Sequence, residues 1–171
     1  MISNKMTEAL NAQINKEIFS SYLYLSMSSY AAFVGLPGIA HWFYIQAKEE
    51  LVHVERFHDY INSHGQRVLL DAIEKPASEF TSALGLFEEA LKHEQFVTKS
   101  VNELVDLAVT ERDHASQIFL QWFVTEQTEE EQNASDIIAK LKLAGDQGGG
   151  LFMIDKELSA RVFTPPPPAA A

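Results

Sequence analysis

Apolar residues recur along this chain at the spacing of a helical face. One such stripe includes Ile39, Phe43 and Phe57, and similar stripes pass through residues 10–24 and 87–108. Intervals of three, four and seven residues between apolar positions are typical of amphipathic helices, because they bring side chains onto one face. The pattern therefore predicts an all-α protein.

Turn-forming residues divide this pattern into four long helices and one short helix. Pro37 suits a first helical turn, and Gly65 can adopt the left-handed conformation that ends a helix. The predicted long helices are residues 4–32, 37–64, 83–110 and 114–143, the last ended by glycines at 145 and 148–150, and a short fifth helix is marked by Leu151, Ile154, Leu158 and Val162.

Residues 66–81 lose the helical pattern and contain Pro76. A connection of this length without regular structure is uncommon inside a domain, but it can cross the length of a bundle and join two helical hairpins. The short turns at residues 35–38 and 111–113 imply antiparallel neighbours on either side. The sequence thus predicts a four-helix bundle with a long crossover between helices 2 and 3.

Acidic residues fall among the apolar positions at Glu17, Glu50 and Glu94, and Glu130 lies in the fourth helix. A single Glu in such a helix is usually solvated at the edge of the stripe, since an unpaired Glu is almost never fully buried. Two carboxylates about 5 Å apart repel by roughly 3 kcal/mol at an effective dielectric near 20, so protons or cations must offset four of them. His53 adds an imidazole three residues after Glu50, and the set predicts a site for two metal ions.

Composition narrows the classes of function. The 171 residues suffice for one domain with a substantial core, and 46% of them are hydrophobic. A net charge of −11 argues against the cationic surface that nucleic-acid binding requires, so no nucleic-acid partner is expected. The chain has no cysteine, which excludes disulfides and thiolate metal sites, so oxygen and nitrogen atoms must hold any metal.

The location and the domain boundary are also expectations from the sequence. No apolar run is long enough to span a membrane and no secretory signal pattern is visible, so a soluble cytoplasmic protein without a membrane partner is expected. The segment from Pro165 to Ala171 contains only proline and alanine, a composition typical of extended or disordered chain. The predicted division is one domain at residues 1–163 and a disordered tail at 164–171 without an assigned function.

Five parts of the sequence resemble the bacterial non-haem ferritins, and the resemblance extends over residues 1–163. These parts are EIFSSYLY from Glu17, EELVH from Glu49, the single Glu94, FLQWFVTEQTEEE from Phe119 and GGLFMIDKEL from Gly149. The resemblance implies an all-α, ferritin-like four-helix bundle with a long crossover between helices 2 and 3 and a short fifth C-terminal helix. In that known family, the helices direct carboxylates at a pair of iron ions.

The resemblance also implies the residues of a di-iron ferroxidase centre. The implied ligands are Glu17, Glu50 and His53 at a first iron, with Glu50 bridging to a second iron held by Glu94 and Glu130, and Gln127 at the edge. The fourth helix has Gln127-x-x-Glu130 where the general bundle pattern has Glu-x-x-His. The second iron therefore loses a nitrogen ligand and is expected to be held less tightly.

The resemblance implies roles for four further residues, and the presence of each also has a simpler explanation. Glu49, Glu126 and Glu129 would form a third iron site facing the storage cavity, although by themselves they are typical of a solvated helix face. Tyr24 lies two turns after Glu17 and would hydrogen-bond a ligating carboxylate or supply an electron. A core tyrosine without a catalytic role remains the alternative.

The function implied by the resemblance is iron storage with ferroxidase activity. Fe(II) would be oxidised with dioxygen, and ferric oxide would be deposited inside a hollow homo-oligomeric shell of about 24 subunits. The apolar face of the fifth helix would be buried between subunits at four-fold axes. Bacterioferritins bind haem through a methionine of the second helix, whereas Val52 stands two residues after Glu50 here, so no haem is expected.

Other classes of helical-bundle protein are the alternatives to an iron-storing ferritin. The main one is a bacterioferritin-like or miniferritin-like iron detoxification protein, but miniferritins place their ligands between subunits and lack the fifth helix. A rubrerythrin-like peroxidase normally adds a four-cysteine iron domain, and this chain has no cysteine. A structural or cytokine-like bundle would have Leu or Phe at positions 17, 50, 94 and 130.

The other histidines are predicted to have no role at the metal site. Surface or packing roles are expected for His41, His58, His64, His93 and His114, since none has a carboxylate at ligand spacing.

The resemblance implies that iron enters the shell through three-fold pores lined by residues from the start of the fourth helix. Asp113, Gln117 and Gln121 form a row there with only one acid, which argues against a strongly acidic funnel.

Overall fold

Five helices and no strand make up the part of the chain that the computed structural model describes, residues 2–145 and 148–165. The helices are α1 (Asn4–Phe33), α2 (Pro37–Ser63), α3 (Ala83–Glu111), α4 (His114–Ala144) and α5 (Gly148–Leu158). The four long helices agree with the predicted ones to within about two residues at each end, which is the usual spread between ways of assigning helix ends. Most of the predicted tail, residues 166–171, lies outside the described residues.

Local hydrogen bonds explain where the long helices begin and end. Ser3, Ser82 and Asp113 each accept a hydrogen bond from the backbone nitrogen three residues later, at 2.9, 3.0 and 3.1 Å. Gly65, with φ of +71°, follows the end of α2 in the left-handed conformation predicted for it. Arg112, with φ of 56°, makes the tight turn between α3 and α4 in the same region of backbone conformation.

The crossover between α2 and α3 runs along α1. Side chains of α1 hold it at successive points: Asn15 Nδ2 donates to Ala72 O at 3.1 Å, Ser26 Oγ donates to Ala77 O at 2.6 Å, and Tyr30 donates to Phe80 O. Residues further along α1 hold residues further along the crossover, so the crossover runs the length of the bundle. The prediction of two helical hairpins joined by a long crossover is confirmed.

Two apolar clusters fill the bundle, and a polar layer separates them. On α1, Ile14 belongs to one cluster and Leu23 to the other, and Glu17 lies between them. On α3, Glu94 lies between Ala90 of one cluster and Val97 of the other. The same order holds on α2 and α4, so all four long helices contribute a buried polar residue at one level of the bundle.

The C-terminal helix α5 differs from its prediction in two respects. It begins at Gly148, so the glycines at 148–150 belong to it rather than ending α4. Val162 was predicted to lie on its apolar face, and this is wrong, because the helix ends at Leu158.

Helix α5 packs on its own chain. Ile154 and Leu158 are buried in the apolar cluster near the start of α2, so packing within the chain covers these two residues. The packing of this helix between subunits stays a prediction. None of the helices within residues 2–145 and 148–165 combines the length and apolarity needed to cross a bilayer.

Candidate metal centre

Glu17, Glu50 and His53 meet in the polar layer at the centre of the bundle. All are at least 98% buried, and one potential ligand atom from each lies within 4.8 Å of the others. His53 Nδ1 is 3.3 Å from Glu50 Oε2 and 3.6 Å from Glu17 Oε2. Atoms this close can share one ion, because metal bonds to carboxylate oxygen and imidazole nitrogen are about 2 Å long.

Two atoms of this group have no hydrogen-bond partner among the described residues. They are Glu17 Oε2 and His53 Nδ1, and both are fully buried. Leaving a buried polar atom unpaired costs roughly 1–3 kcal/mol, and more where the group is charged. Their position therefore fits coordination to a cation better than a purely structural role.

Glu94 and Glu130 lie in the same layer with different partners. Glu94 accepts hydrogen bonds from Tyr24, through Oε1, and from Gln127 Nε2, through Oε2 at 3.0 Å. The hydrogen bond expected of Tyr24 is therefore present. Gln127 presents an amide nitrogen to Glu94, so it orients this carboxylate rather than offering an oxygen ligand in this conformation.

Two buried glutamines that the sequence analysis missed hold the carboxylates in place. Gln13 Nε2 donates to Glu17 Oε1 at 2.8 Å, and Gln46 Nε2 donates to Glu50 Oε1 at 3.2 Å and to Glu130 Oε2 at 2.7 Å. Each glutamine lies one helical turn before a ligand-type Glu. Their i,i+4 spacing to Glu17 and Glu50 was the available signal.

A directional chain of hydrogen bonds leads from the side of the bundle to Glu17. Lys16 donates to Ser100, Ser100 Oγ donates to Gln13 Oε1, and Gln13 in turn donates to Glu17. The side-chain oxygen of Gln13 accepts the hydrogen bond from Ser100. The amide nitrogen of Gln13 is therefore the atom that faces Glu17 Oε1. The other carboxylate oxygen, Oε2, is left to face His53.

Burial makes the carboxyl groups of the layer weak acids. It raises the pKa of Glu50 to about 7, although His53 opposes the shift. Burial, reinforced by neighbouring carboxylates, raises the pKa values of Glu94 and Glu130 to about 8. The pKa of His53 is raised above its usual value because the attraction of Glu50 and Glu17 outweighs burial. The layer thus binds protons when it has no other cation.

A second acidic cavity adjoins the layer. Glu49, Glu126 and Glu129 line a space of about 170 Å³, together with His53 and Glu130 of the layer. Burial is the main cause that raises the pKa values of Glu49 and Glu126. Arg161, which the sequence analysis did not single out, also lines the cavity and forms an ion pair with Glu49. We call this space the outer acidic pocket.

The sequence of this chain is similar to those of known proteins over most of its length. A sequence model of the ferritin-like domain matches residues 7–144. The bacterial non-heme ferritin of Escherichia coli is 43% identical over 159 residues, covering 93% of this chain and 96% of its own. That of Bacteroides fragilis is 44% identical over 161 residues, covering 94% and 100%.

The chain belongs to the ferritin family. Its function is accordingly iron storage. Two solved structures of Archaeoglobus fulgidus ferritin agree closely with this ferritin's fold. An engineered closed form has a TM-score of 0.95 and 51% identity, and it covers 96% of this chain and 100% of its own. A structure described as a novel open pore ferritin has a TM-score of 0.94 and 50% identity, with coverage of 95% and 100%.

The other residues considered at the sequence level have contacts of their own in this ferritin. His93 packs beside Phe19, with ring centroids 5.7 Å apart, and burial lowers its pKa to about 4, in keeping with a packing role. Asp113 caps α4, and Gln117 Nε2 donates to Ala108 O at 3.2 Å. Both contacts lie within the chain, and an entry route along this row remains a prediction.

Proposed function

We propose that this ferritin oxidises Fe(II) with dioxygen in the buried polar layer and stores the ferric product. Two ferrous ions would each lose one electron. One dioxygen would accept both electrons with two protons and leave as hydrogen peroxide. Hydrolysis of the ferric product then releases protons and yields the hydrated oxide that is stored.

The observation that carries this proposal is the buried group of Glu17, Glu50 and His53, in which two ligand atoms have no hydrogen-bond partner among residues 2–145 and 148–165. We assign these three residues to the first iron and Glu94 with Glu130 to the second. Glu50 is assigned to both. The donors are carboxylate oxygens and one imidazole, and hard carboxylate oxygens suit ferrous and ferric iron alike.

The hydrogen bonds in the layer support different tasks for the two iron positions. Glu17 and His53 keep free ligand atoms, whereas both oxygens of Glu94 accept hydrogen bonds, from Tyr24 and Gln127. An ion at the second position must compete with these donors for Glu94. We therefore propose tight binding at the first position and weaker, releasing binding at the second.

Proton exchange accompanies iron binding in this proposal. The raised pKa values of Glu50, Glu94 and Glu130 mean that these groups carry protons near neutral pH until a cation replaces them. Iron binding then releases protons from the layer. Tyr24, whose pKa is raised mainly by burial, keeps its proton and donates a hydrogen bond to Glu94.

Storage requires a compartment, and we propose that copies of this chain assemble into a closed shell of about 24 subunits. The outer acidic pocket, lined by Glu49, Glu126 and Glu129, is proposed as a third iron site between the layer and the interior of that shell. A cytoplasmic location and the absence of haem are part of the same proposal.

The direct test is anaerobic loading of the metal-free protein with Fe(II), followed by dioxygen in a stopped-flow instrument. We expect a rapid oxidation burst of about two Fe(II) per subunit. Glu50→Ala should abolish the burst, and Glu94→Ala or Glu130→Ala should reduce it to a slow phase. The matched control is Glu103→Ala, an exposed acid on α3 that pairs with Lys99.

Two results would refute the proposal. One is a normal burst in the Glu94→Ala and Glu130→Ala proteins, which would remove the second iron position. The other is a stable monomer or dimer in light-scattering measurements of the same preparation, since such a particle has no compartment in which to store a mineral.

A further inference from the structure

Arg161 is held over the outer acidic pocket by four contacts. Its guanidinium pairs with Glu49 Oε2, its Nη1 is 3.5 Å from Trp42 O, and its Cζ is 4.3 Å from the centroid of the Trp42 ring. His41 Nε2 lies 2.8 Å from the Arg161 backbone oxygen, within hydrogen-bond distance. Only 18% of the side chain is exposed, so this arginine is part of the structure of the pocket rather than a surface charge.

The docking of α5 places Arg161 there. Asp155 Oδ1 accepts a hydrogen bond from the backbone nitrogen of Ile39 at 2.8 Å, which ties α5 to the start of α2. At Gly38 the two helices touch, because a Cβ atom there would lie 1.7 Å from the Asp155 backbone oxygen. The chain after α5 then returns along α2 to the level of Glu49, 112 residues earlier in the sequence.

The pocket itself has the properties of a cation site. In the described part of the chain four carboxyl groups line it, those of Glu49, Glu126, Glu129 and Glu130. His53 also lines it, a buried residue whose Nδ1 has no hydrogen-bond partner within that part. Arg161 supplies one positive charge at the Glu49 end. A metal ion that used Glu49 Oε2 would have to break this ion pair.

We propose that Arg161 is a built-in counter-cation of the outer acidic pocket, and that it weakens metal binding there so that iron does not stay bound on its way to the store. This inference rests on the proposed function and deepens it by naming a residue that sets the affinity of the outer acidic pocket for metal ions. Arg161 is a positioning residue in this role, since it acts through Glu49.

The physical basis is competition between two cations for one carboxylate. The ion pair is mostly buried and Arg161 is also stacked on Trp42, so the pair is stronger than an exposed one. Metal binding at Glu49 is therefore coupled to displacement of the guanidinium. Coupling between sites typically changes affinity by about 5–150-fold.

The test uses Zn(II), which does not change oxidation state, in calorimetric titration of the full, metal-free protein. Two classes of site are expected: a tight class at the first position of the buried layer, and a weaker class that contains the second position and the outer acidic pocket. Arg161→Gln should strengthen the weaker class by about tenfold and leave the tighter class unchanged. Arg161→Lys, which keeps the charge, should stay close to wild type, and Lys156→Gln, which removes an exposed charge from α5, should change neither class.

A double-mutant cycle with Glu49→Gln isolates the pair. The effect of Arg161→Gln should disappear in the Glu49→Gln background, because the carboxylate for which the two cations compete is gone. If Arg161→Gln leaves the weaker class unchanged or weakens it, or if its effect persists in the Glu49→Gln protein, the inference is overturned.

A second measurement keeps Arg161 itself and so does not depend on the stability of a variant at that position. The chain has two tryptophans, Trp42 and Trp122, and Trp122 packs edge-on against His53 with ring centroids 5.4 Å apart. Trp122→Phe keeps an aromatic ring there and leaves Trp42 as the one fluorescent tryptophan, which reports on the guanidinium stacked over its ring. We expect this fluorescence to change as Zn(II) fills the weaker class. A constant Trp42 signal through that phase would show that Arg161 does not move and would overturn the inference.

Failure of the proposed function gives a different result. A protein without the Fe(II) oxidation burst would refute the ferroxidase proposal, while the Zn(II) titrations would still report whether Arg161 opposes metal binding at Glu49.

Discussion

Gln46 on α2 reaches across the bundle to Glu130 on α4, with 2.7 Å between its Nε2 atom and the carboxylate Oε2. The same nitrogen is 3.2 Å from Glu50 Oε1 on its own helix. One amide group therefore orients a carboxylate assigned to the second iron and the carboxylate assigned to both.

Replacing Gln46 should weaken both iron positions together. Gln46→Leu keeps most of the volume but removes the donor, and loss of such an orienting group typically costs roughly 10–100-fold in metal affinity or activity. Anaerobic Co(II) titration followed by visible absorption would measure the affinity. Gln132→Leu, at an exposed position of α4, is the control. Equal Co(II) affinity in the two variants would contradict the role given to Gln46.

Ser100 should matter to Glu17 although it does not touch it. Ser100→Ala removes both the acceptor of Lys16 and the donor to Gln13, so the amide of Gln13 is no longer fixed toward Glu17. We expect weaker Zn(II) binding at the first position with an unchanged fold, and partial recovery in Ser100→Thr, which restores the hydroxyl. Full affinity in the alanine variant would mean that the chain of hydrogen bonds does not orient Glu17.

The metal-free protein should lose stability as the pH rises from about 5 to 8. The carboxyl pKa values of Glu50, at about 7, and of Glu94 and Glu130, at about 8, lie above the usual value, so the folded state binds more protons than the unfolded state in this range. Each such proton changes the free energy of unfolding by about 1.4 kcal/mol per pH unit, in favour of unfolding as the pH increases. The raised pKa of His53 acts in the same direction.

Melting temperatures across this range would measure the effect. Glu94→Gln removes one of the titrating groups and should flatten the curve, and Zn(II) at pH 8 should restore the lost stability by replacing the protons. A metal-free protein that is more stable at pH 8 than at pH 5 would contradict this linkage.

Two glycine substitutions should have opposite effects on α5. Gly38→Ala would place a methyl group against the Asp155 backbone and force α5 away from α2, lowering the melting temperature and the hydrogen-exchange protection of α5. Gly148→Ala, where no atom of the described residues beyond its chain neighbours lies within 4 Å of the added Cβ, should leave docking intact and favour the helix by about 0.5–1 kcal/mol. Similar protection of α5 in both variants would show that close contact at Gly38 does not hold it.

The helices were predictable from the sequence because the apolar stripes and the residues that end helices agree. Gly65 and Pro37 mark ends that the structure reproduces. Glu17, Glu50 and His53 were identifiable as a group since charged residues in an apolar stripe need partners, and the structure brings them together. Because several buried carboxylates repel one another, their presence in the core indicated that cations or protons must offset them, and hence a metal site.

Other parts of the site depend on distances that a sequence does not contain. Gln46 was passed over because a neutral polar residue in a helix is common, and its contact with Glu130 joins residues 84 positions apart. Arg161 was missed for the same reason, since nothing in the sequence relates it to Glu49. The early start of α5 was missed because three glycines disfavour a helix locally, whereas Ile154 and Leu158 stabilise it by packing on the bundle.

The polar layer has a consequence for how this ferritin tolerates mutation. It separates two apolar clusters, one containing Phe43 and Phe87 and the other Phe57 and Phe123. Among the described residues no apolar side chain belongs to both clusters, so the energetic effects of substitutions at the two ends should add, while those within one cluster should interact. Each end of the bundle is therefore free to change its packing independently, provided that the layer between them keeps its geometry.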